Sequence, residues 1–240
     1  MLKKFIRAHK IYVLFEAVLP EDTSQKITAE YYPEQLLAKN HGHIHVLDLG
    51  CGAGNSLGLF RKISPGISWS GVDVASSPEL KARTRNEGDI KIYDGVNLPY
   101  PDNFFDFIYS NQVFEHVRYP DLLLKSVCRV LKPGGYFAGS VSYLEPYHSF
   151  SLFNFTPYGL ITVVKDAGLH LVELRPGADT FSLLFRQLLN APKFLSWFFD
   201  RFSLFDLCVN SMGAMFGLGH KERNFFKIQF AGHLCFLAIK

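Results

Sequence analysis

Short apolar runs that end at glycine or polar residues recur along the first half of the chain. Such runs are typical of buried parallel strands. Segments with helical spacing separate them, and this alternation predicts a mostly parallel sheet with helices on both faces. The predicted strands cover residues 45–49, 69–74, 90–93, 104–110 and 136–141.

The later part of the chain continues the pattern. A helix is predicted after Pro120, because the apolar residues 123, 127, 130 and 131 share one helical face. Lys132-Pro-Gly-Gly should stop that helix and turn the chain into the next strand. A further helix, a strand and a last edge or antiparallel strand are predicted over residues 156–167, 169–174 and 230–239.

No repeat or linker divides the sequence, so we expect a single domain over residues 1–240. A helical N-terminal extension is predicted over residues 1–43, and an apolar helical insertion over residues 176–224, before the last strand. The expected fold is therefore α/β, a doubly wound, Rossmann-like sheet with added helices at two places.

Composition narrows the class of protein. With 48% hydrophobic and 20% charged residues, the chain has the composition of a packed globular protein. A formal net charge of +3 is too small to indicate nucleic-acid binding. The four cysteines are scattered without a Cys-x-x-Cys pair, so neither a disulfide framework nor a zinc site is expected, and a reducing cytoplasm is the default location.

The N-terminus begins like a signal peptide but does not continue as one. The apolar stretch from Ile11 to Leu19 is interrupted by Glu16, and no small-residue cleavage site follows. No window reaches the roughly 18 uncharged apolar residues of a membrane span. We therefore expect a soluble or peripheral protein.

The most informative segment is Val46-Leu-Asp-Leu-Gly-Cys-Gly-Ala-Gly-Asn-Ser. Glycines at this turn let the backbone bend sharply and let a ligand approach the main chain. The dinucleotide fingerprint requires a third glycine where this chain has Asn55. Asp48 precedes the turn, where a carboxylate would repel a pyrophosphate but suit the ammonium group of an amino acid. These features favour S-adenosylmethionine over NAD and predict cofactor contacts from Asp48, Gly50, Cys51, Gly52 and Gly54.

Two more acids follow the next two predicted strands. Asp73, beside Val74, is placed to accept hydrogen bonds from both ribose hydroxyls, with a helix N-cap as the alternative. Asp94 is placed to accept from the adenine amino group, although alone it would more often be a turn aspartate. All three acids should face the crevice at the carboxyl edge of the sheet, where ligands bind in such folds.

Together the motifs resemble the class I S-adenosylmethionine-dependent methyltransferases, specifically their type 11 group. The resemblance covers residues 44–175 and rests on Leu47-Asp-Leu-Gly-Cys-Gly-Ala-Gly, Val72-Asp, Asp94 with Leu98-Pro-Tyr-Pro-Asp, Phe105-Asp-Phe-Ile-Tyr-Ser-Asn-Gln-Val-Phe-Glu-His, and Leu131-Lys-Pro-Gly-Gly. It implies seven strands in the order 3-2-1-4-5-7-6, with the last strand antiparallel.

The resemblance also implies roles for individual residues. Gly50 and Gly52 would lie against the methionine part of the cofactor, and Asp73 would hold its ribose. Asp94 and Gly95 would contact the adenine, and Asn111 and Gln112 would line the cofactor after the fourth strand. His116 would order its turn rather than react.

The acceptor is less well defined. His148, near Tyr147 and Glu145 after the fifth strand, is a candidate general base for a hydroxyl acceptor, although a loop histidine is more often structural. The segment 150–160 resembles methyltransferases of bacterial surface-glycan and secondary-metabolite clusters. It favours a small-molecule or glycan acceptor, and the apolar insertion over residues 176–224 adds a lipid-linked molecule as a further candidate. Oxygen is the expected acceptor atom. The cluster His41-Gly-His-Ile-His45 suggests a metal but is better explained as a solvated turn at the far end of the sheet.

Two functions from other classes stay open. One is a regulatory protein that binds the cofactor without turnover, since fold does not fix function. The other is a nicotinamide oxidoreductase, against which Asp48 and the missing glycine argue.

The insertion carries a phenylalanine stripe at helical spacing, formed by residues Phe194, Phe198, Phe202 and Phe205. Such a stripe most often packs as core or as a lid over the cleft. The sharper alternatives are a lipid-facing or homodimer-forming surface, with Lys3, Lys4 and Arg7 assisting peripheral contact at the inner membrane face.

Overall fold

A single seven-stranded sheet organises the protein. The computed structural model describes residues 2–38, 42–84, 88–147, 150–190 and 203–240. The strands are β1 (Ile44–Leu49), β2 (Ile67–Val74), β3 (Asp89–Tyr93), β4 (Phe105–Asn111), β5 (Leu131–Ser142), β6 (His170–Pro176) and β7 (His233–Ile239). Their order is β3-β2-β1-β4-β5-β7-β6, and only β7 runs antiparallel to its neighbours β5 and β6. The predicted fold class, order and direction are confirmed.

Helices cover both faces of this sheet. Helices also form the N-terminal region before β1 and the region between β6 and β7. They are α1 (Leu2–Arg7), α2 (Lys10–Phe15), α3 (Tyr31–Leu37), α4 (Leu57–Ile63), α5 (Pro78–Lys81), α6 (Pro120–Val130), α7 (Pro157–Asp166), α8 (Thr180–Leu188), α9 (Leu204–Met215) and α10 (His220–Ile228). Side-chain hydrogen bonds cap the N-termini of several helices. Thr156 accepts from the Gly159 amide, and Ser203 accepts from the Asp206 amide. A single 3-10 turn, Phe114–His116, follows β4.

Apolar burial explains why the central strands are nearly continuous runs. Phe105, Phe107 and Ile108 of β4 are completely buried, as are Val46 and Leu47 of β1. Their side chains divide between two apolar clusters, one on each face of the sheet. Burial on both faces is what a parallel sheet with helices on each side requires.

The Lys132-Pro-Gly-Gly segment ends α6 at Val130, as predicted, but it then bulges within β5. Phe105 pairs with Leu131 and Phe107 with Tyr136, so a single β4 residue faces four residues of β5. The amide of Gly134 donates to the Lys240 carbonyl, and the Lys240 amide to the Gly135 carbonyl. The bulge therefore also holds the end of the last strand.

The N-terminal helices and the helices before β7 pack against each other through polar contacts. Glu222 of α10 accepts from Arg7 at 2.6 Å, and the Asn224 amide group donates to the backbone carbonyls of Pro20 and Thr23. The buried Arg175 of β6 binds Asp22 at 2.8 Å. These contacts hold the segment between α2 and α3 beside the sheet.

The predicted phenylalanine stripe is interrupted. Phe194, Phe198 and Phe202 lie outside the described residues, and Ser203 has the extended backbone of an N-cap. Phe205 therefore belongs to a new helix, α9, because a residue with non-helical dihedral angles cannot continue a helical face. In the described ranges, no helix has the length and apolarity to cross a membrane.

Candidate functional site

The turn after β1 is built from three glycines with left-handed backbone angles. Gly50, Gly52 and Gly54 have φ values of +70°, +49° and +79°, a conformation that side chains with a β-carbon rarely adopt. A β-carbon on Gly50 would overlap Val113 Cγ2, so the loop after β4 closes directly on this turn. The amides of Gly50 and Cys51 both donate to the Val72 carbonyl, which fixes the turn to the end of β2.

Asp48 lies beneath this turn and is buried. Its carboxyl accepts a hydrogen bond from the Ser56 hydroxyl, which also accepts from the indole of Trp69 at 3.0 Å. Burial raises the pKa of Asp48 to about 7, against the lowering effect of the Ser56 hydrogen bond. A cation bound near Asp48 would therefore favour the ionised form of this carboxyl group and would be strongly attracted to it.

Asp73 lies at the end of β2 and turns back toward the glycines. Its Oδ2 accepts from the Gly52 amide and its Oδ1 from the Val74 amide, both at 2.7 Å. Burial raises the pKa of this carboxyl. The alternative assignment of Asp73 as a helix N-cap is wrong, because Ser77 caps α5 by accepting from the Leu80 amide.

Asp94 and Gly95 form the turn after β3. Asp94 Oδ1 accepts from the amides of Val96 and Asn97, and its Oδ2 accepts from the Asn97 side chain at 2.7 Å. Among the contacts that hold the pKa of Asp94 below its usual value, the hydrogen bond from the Asn97 side chain has the largest effect. Gly95 has a φ of +89°, and a β-carbon there would lie 3.6 Å from Val74 Cγ1. Asp94 thus has the geometry of a turn aspartate, and the close approach of Gly95 and Val74 joins the ends of β2 and β3.

Asn111 and Gln112 leave β4 in a strained turn. Gln112 has a φ of +54°, which is uncommon for a residue other than glycine. Ser140 of β5 fixes both side chains: its hydroxyl donates to Asn111 Oδ1 at 2.6 Å and accepts from Gln112 Nε2 at 3.0 Å. The amide oxygens and nitrogens are therefore held at the carboxyl edge of the sheet, and such strain persists only where the surroundings fix it.

A cleft of about 920 Å³ opens beside Asn111 and Gln112. The segment 23–31, the ends of β4 and β5, the start of β7, and helices α8 and α9 line it. Its polar lining includes Thr23, Gln25, Thr28, Ser182, Ser203 and Asn210. The cleft is thus continuous with the last two residues of the predicted cofactor set.

The comparisons with known proteins agree with this geometry. Residues 47–139 match the family model described as a methyltransferase domain. The matched residues run from β1 to β5 and contain every predicted cofactor residue. Residues 47–139 therefore belong to a methyltransferase domain, and the strand order is the one that the resemblance to class I S-adenosylmethionine-dependent methyltransferases implied.

Relatives of this methyltransferase domain differ in what their names describe. Methyltransferase GfsG of Streptomyces halstedii is 30% identical over 49% of this chain and 43% of its own length. The ubiquinone/menaquinone biosynthesis C-methyltransferase UbiE of Chromobacterium violaceum is 33% identical over 51% of this chain and 54% of its own length. The chain spans about half the length of these curated relatives.

A solved structure of the (4+2)-cyclase SpnF has the same fold. Its TM-score is 0.59 at 18% identity, with 93% of this chain and 86% of that chain covered. At this identity the likeness concerns the fold alone, and it shows that proteins with other named activities share it.

Some sequence candidates do not join the site. His148 lies outside the described residues. The rings of His43 and His45 meet edge to face, with 4.8 Å between their centroids, at the amino end of the sheet and away from the glycine turn, and His41 is not described. Within the ranges that the structure covers, no three His, Cys, Asp or Glu side chains are grouped as metal ligands would be.

Sequence reasoning placed Glu145 near the acceptor but missed the polar cluster that it forms with Glu115, Ser142 and His233 at the edge of the methyltransferase domain. His233 begins β7 and pairs with Ser142 at the end of β5. Because β7 is antiparallel, its first residue lies at the same edge as the last residues of the parallel strands. The predicted direction of the last strand was the signal that points to His233.

Proposed function

We propose that the protein transfers a methyl group from S-adenosylmethionine to an oxygen of a small, hydroxyl-rich acceptor bound in the cleft. The observation that carries the proposal is that Asn111 and Gln112, the last two residues of the predicted cofactor set, also line the cleft. An acceptor there would lie next to the predicted cofactor position, and methyl transfer depends chiefly on such placement and on exclusion of water.

The residues at this edge fit the cofactor. Left-handed glycines leave the turn after β1 without β-carbons, so a ligand can approach its main chain. Asp48 would attract the ammonium group, and Asp73 would accept from the ribose hydroxyls. Cys51, Gly54, Val74, Asp94 and Gly95 would complete the walls around the adenosine, and Asn111 and Gln112 the side that faces the acceptor. When bound, the sulfonium supplies a methyl group already activated for transfer.

The lining of the cleft supports a polar acceptor. Hydroxyl and amide side chains come from the N-terminal segment, α8 and α9, for example Thr28, Ser182 and Asn210. Such groups donate to and accept from the hydroxyls of a glycan or a similar small molecule. The mild net charge of +3 gives no support to a nucleic-acid acceptor.

Peripheral membrane contact is the second part of the proposal. Phe181, Phe185 and Leu188 are spaced to share one face of α8, and their exposed fractions are 48%, 63% and 80%. An apolar face of this kind beside the cleft suits a lipid-linked acceptor at the inner face of a membrane, and it also suits a second copy of the chain.

One experiment separates this function from its rivals. The protein is incubated with [methyl-3H]S-adenosylmethionine and with aqueous and organic extracts of the producing cells, and labelled products are separated. A labelled small molecule or lipid is expected. Tight binding of S-adenosylhomocysteine without any labelled product would instead favour the regulatory alternative, and tight NADH binding without S-adenosylhomocysteine binding the oxidoreductase.

A further inference from the structure

A chain of polar groups crosses the carboxyl edge of the sheet between the 3-10 turn and β7. The Ser142 hydroxyl lies 3.1 Å from Glu115 Oε1 and 2.5 Å from Glu145 Oε2. Glu145 Oε2 lies 3.0 Å from His233 Nε2. His233 also lines the cleft together with Asn111 and Gln112. The chain thus ends on an imidazole at the proposed acceptor position.

Two carboxyl groups and one amide oxygen share the Ser142 hydroxyl in this chain of polar groups. Glu115 is completely buried, and burial raises the pKa of its carboxyl. The Ser142 hydroxyl, which has one proton to donate, faces three acceptors: Glu115 Oε1 at 3.1 Å, Gln112 Oε1 at 2.8 Å and Glu145 Oε2 at 2.5 Å. The Glu145 oxygen is also the one that faces His233.

His233 has two different ring nitrogens. Nε2 is buried 3.0 Å from Glu145 Oε2 but makes no aligned hydrogen bond there, so this contact is a close approach of the imidazole edge to a carboxyl oxygen. The Nδ1 atom has no hydrogen-bond partner within the described ranges and is not among the buried unsatisfied atoms. Catalytic hydrogen bonds are often poorly aligned without substrate. A carboxylate at Nε2 favours the tautomer with its proton on Nε2 and the lone pair on Nδ1.

We propose that His233 is the general base for an acceptor hydroxyl and that Glu145 is its positioning residue. The inference rests on the proposed methyl transfer to oxygen. As the acceptor oxygen bonds to the methyl carbon, the carbon–sulfur bond breaks and its electron pair stays on sulfur, which becomes a neutral thioether. The acceptor proton moves to Nδ1 of His233, and Glu145 stabilises the imidazolium that forms.

The matched variants separate base catalysis from structure. His233→Gln keeps a hydrogen-bond donor for Glu145 but has no base, while His233→Ala leaves space for added imidazole. Glu145→Gln removes the charge, and Glu145→Asp restores it at a shorter reach. His170→Gln, on an exposed histidine at the opposite edge, is the control. Each is assayed for incorporation of labelled methyl groups into the same cell extracts, and calorimetry measures S-adenosylhomocysteine affinity.

The proposal predicts a loss of about a hundredfold in rate for both His233 variants, with cofactor affinity unchanged. Millimolar imidazole should restore part of the rate in His233→Ala only. Glu145→Gln should lose about tenfold, and Glu145→Asp should recover part of that loss. An unchanged rate in a folded His233→Gln variant would overturn the dyad and leave methyl transfer standing, and loss in His148→Gln beside it would assign the base to His148. Absence of labelled product from the unaltered protein would overturn both proposals.

Discussion

The amide of Gly52 donates a 2.7 Å hydrogen bond to the carboxylate of Asp73. This contact joins the turn after β1 to the end of β2, two positions that are 21 residues apart in the sequence. The glycine turn and the acid are therefore one preorganised unit rather than two independent motifs. A ligand that binds one of them would meet the other without rearrangement of the backbone.

The first prediction concerns Gly50. Gly50→Ala should destabilise the protein by at least about 1–2 kcal/mol, because φ is +70° and a β-carbon would overlap Val113. S-adenosylhomocysteine affinity should fall with it. Gly58→Ala in α4 is the matched control: its β-carbon would meet nothing within 4 Å, so a gain of about 0.5–1 kcal/mol is expected. Urea unfolding measures both, and equal effects would contradict the steric account.

The second prediction concerns pH and Asp48. Its pKa is raised to about 7 in the folded chain, from an ordinary value of 3.8, because the carboxyl is buried. The folded state therefore binds this proton more tightly than the unfolded state does. The associated stability is complete below about pH 4 and is lost as the pH rises through about 7. The loss in the ligand-free protein is on the order of 4 kcal/mol at most.

Asp48→Asn tests this assignment. Asparagine cannot ionise, so the variant should lose this pH dependence and should be at least as stable as the unaltered protein at pH 8. Its S-adenosylmethionine affinity should nevertheless fall by about tenfold, because the ammonium group loses its counter-charge. Asp166→Asn, an exposed position at the end of α7, is the control. Parallel pH profiles for Asp48→Asn and the unaltered protein would refute the raised pKa.

The third prediction concerns Arg175, whose side chain is 3% exposed and contacts both Asp22 and Glu173. Removing this buried cation leaves both carboxylates without their shared ion-pair partner, so Arg175→Ala should cost about 3 kcal/mol. The segment before α3, which lines the cleft, should become more sensitive to limited proteolysis. Lys221→Ala breaks a surface pair with Glu21 and should cost under about 1 kcal/mol. Similar losses of unfolding free energy in the two variants would show that burial does not make the Arg175 ion pairs more stabilising than the Lys221–Glu21 pair.

The fourth prediction concerns the exposed face of α8. The intact protein should float with anionic liposomes, and a Phe185→Ser/Leu188→Ser variant should not, because the exposed apolar area of the face is lost. Ile92→Ser, at an equally exposed apolar position on β3, is the control. Failure of the intact, monodisperse protein to float would end the membrane proposal. A dimer that the same double variant dissociates would then assign the face to self-association.

The sequence predicted those parts of the fold that depend on local pattern. Buried strands such as β4 are recognisable in the sequence as apolar runs. The three left-handed positions of the turn after β1 are recognisable because glycine occupies each of them. The order and direction of the strands came from the family resemblance rather than from periodicity. The local sequence also indicated that Asp94 could be a turn aspartate, as the alternative to a role in adenine binding.

The rest of the site depends on contacts between distant segments. Ser142 and His233 are neighbours only because β5 and β7 pair, and no local pattern marks either residue. Arg175 and Asp22, which lie 153 residues apart, bind each other next to Thr23, which lines the cleft. Likewise, helical spacing across Phe194–Phe205 could not reveal that Ser203 adopts the backbone of an N-cap.

Calorimetric titration of S-adenosylmethionine into the unaltered protein and into Asp73→Ala tests the cofactor site most directly. The lost carboxylate removes two charge-assisted hydrogen bonds to the ribose, each worth roughly 1.5–3 kcal/mol before water compensates. Affinity should therefore fall by at least about tenfold in a variant that keeps the circular dichroism spectrum of the unaltered protein. An unchanged dissociation constant in that folded variant would contradict the placement of the cofactor at the carboxyl edge of β1 and β2.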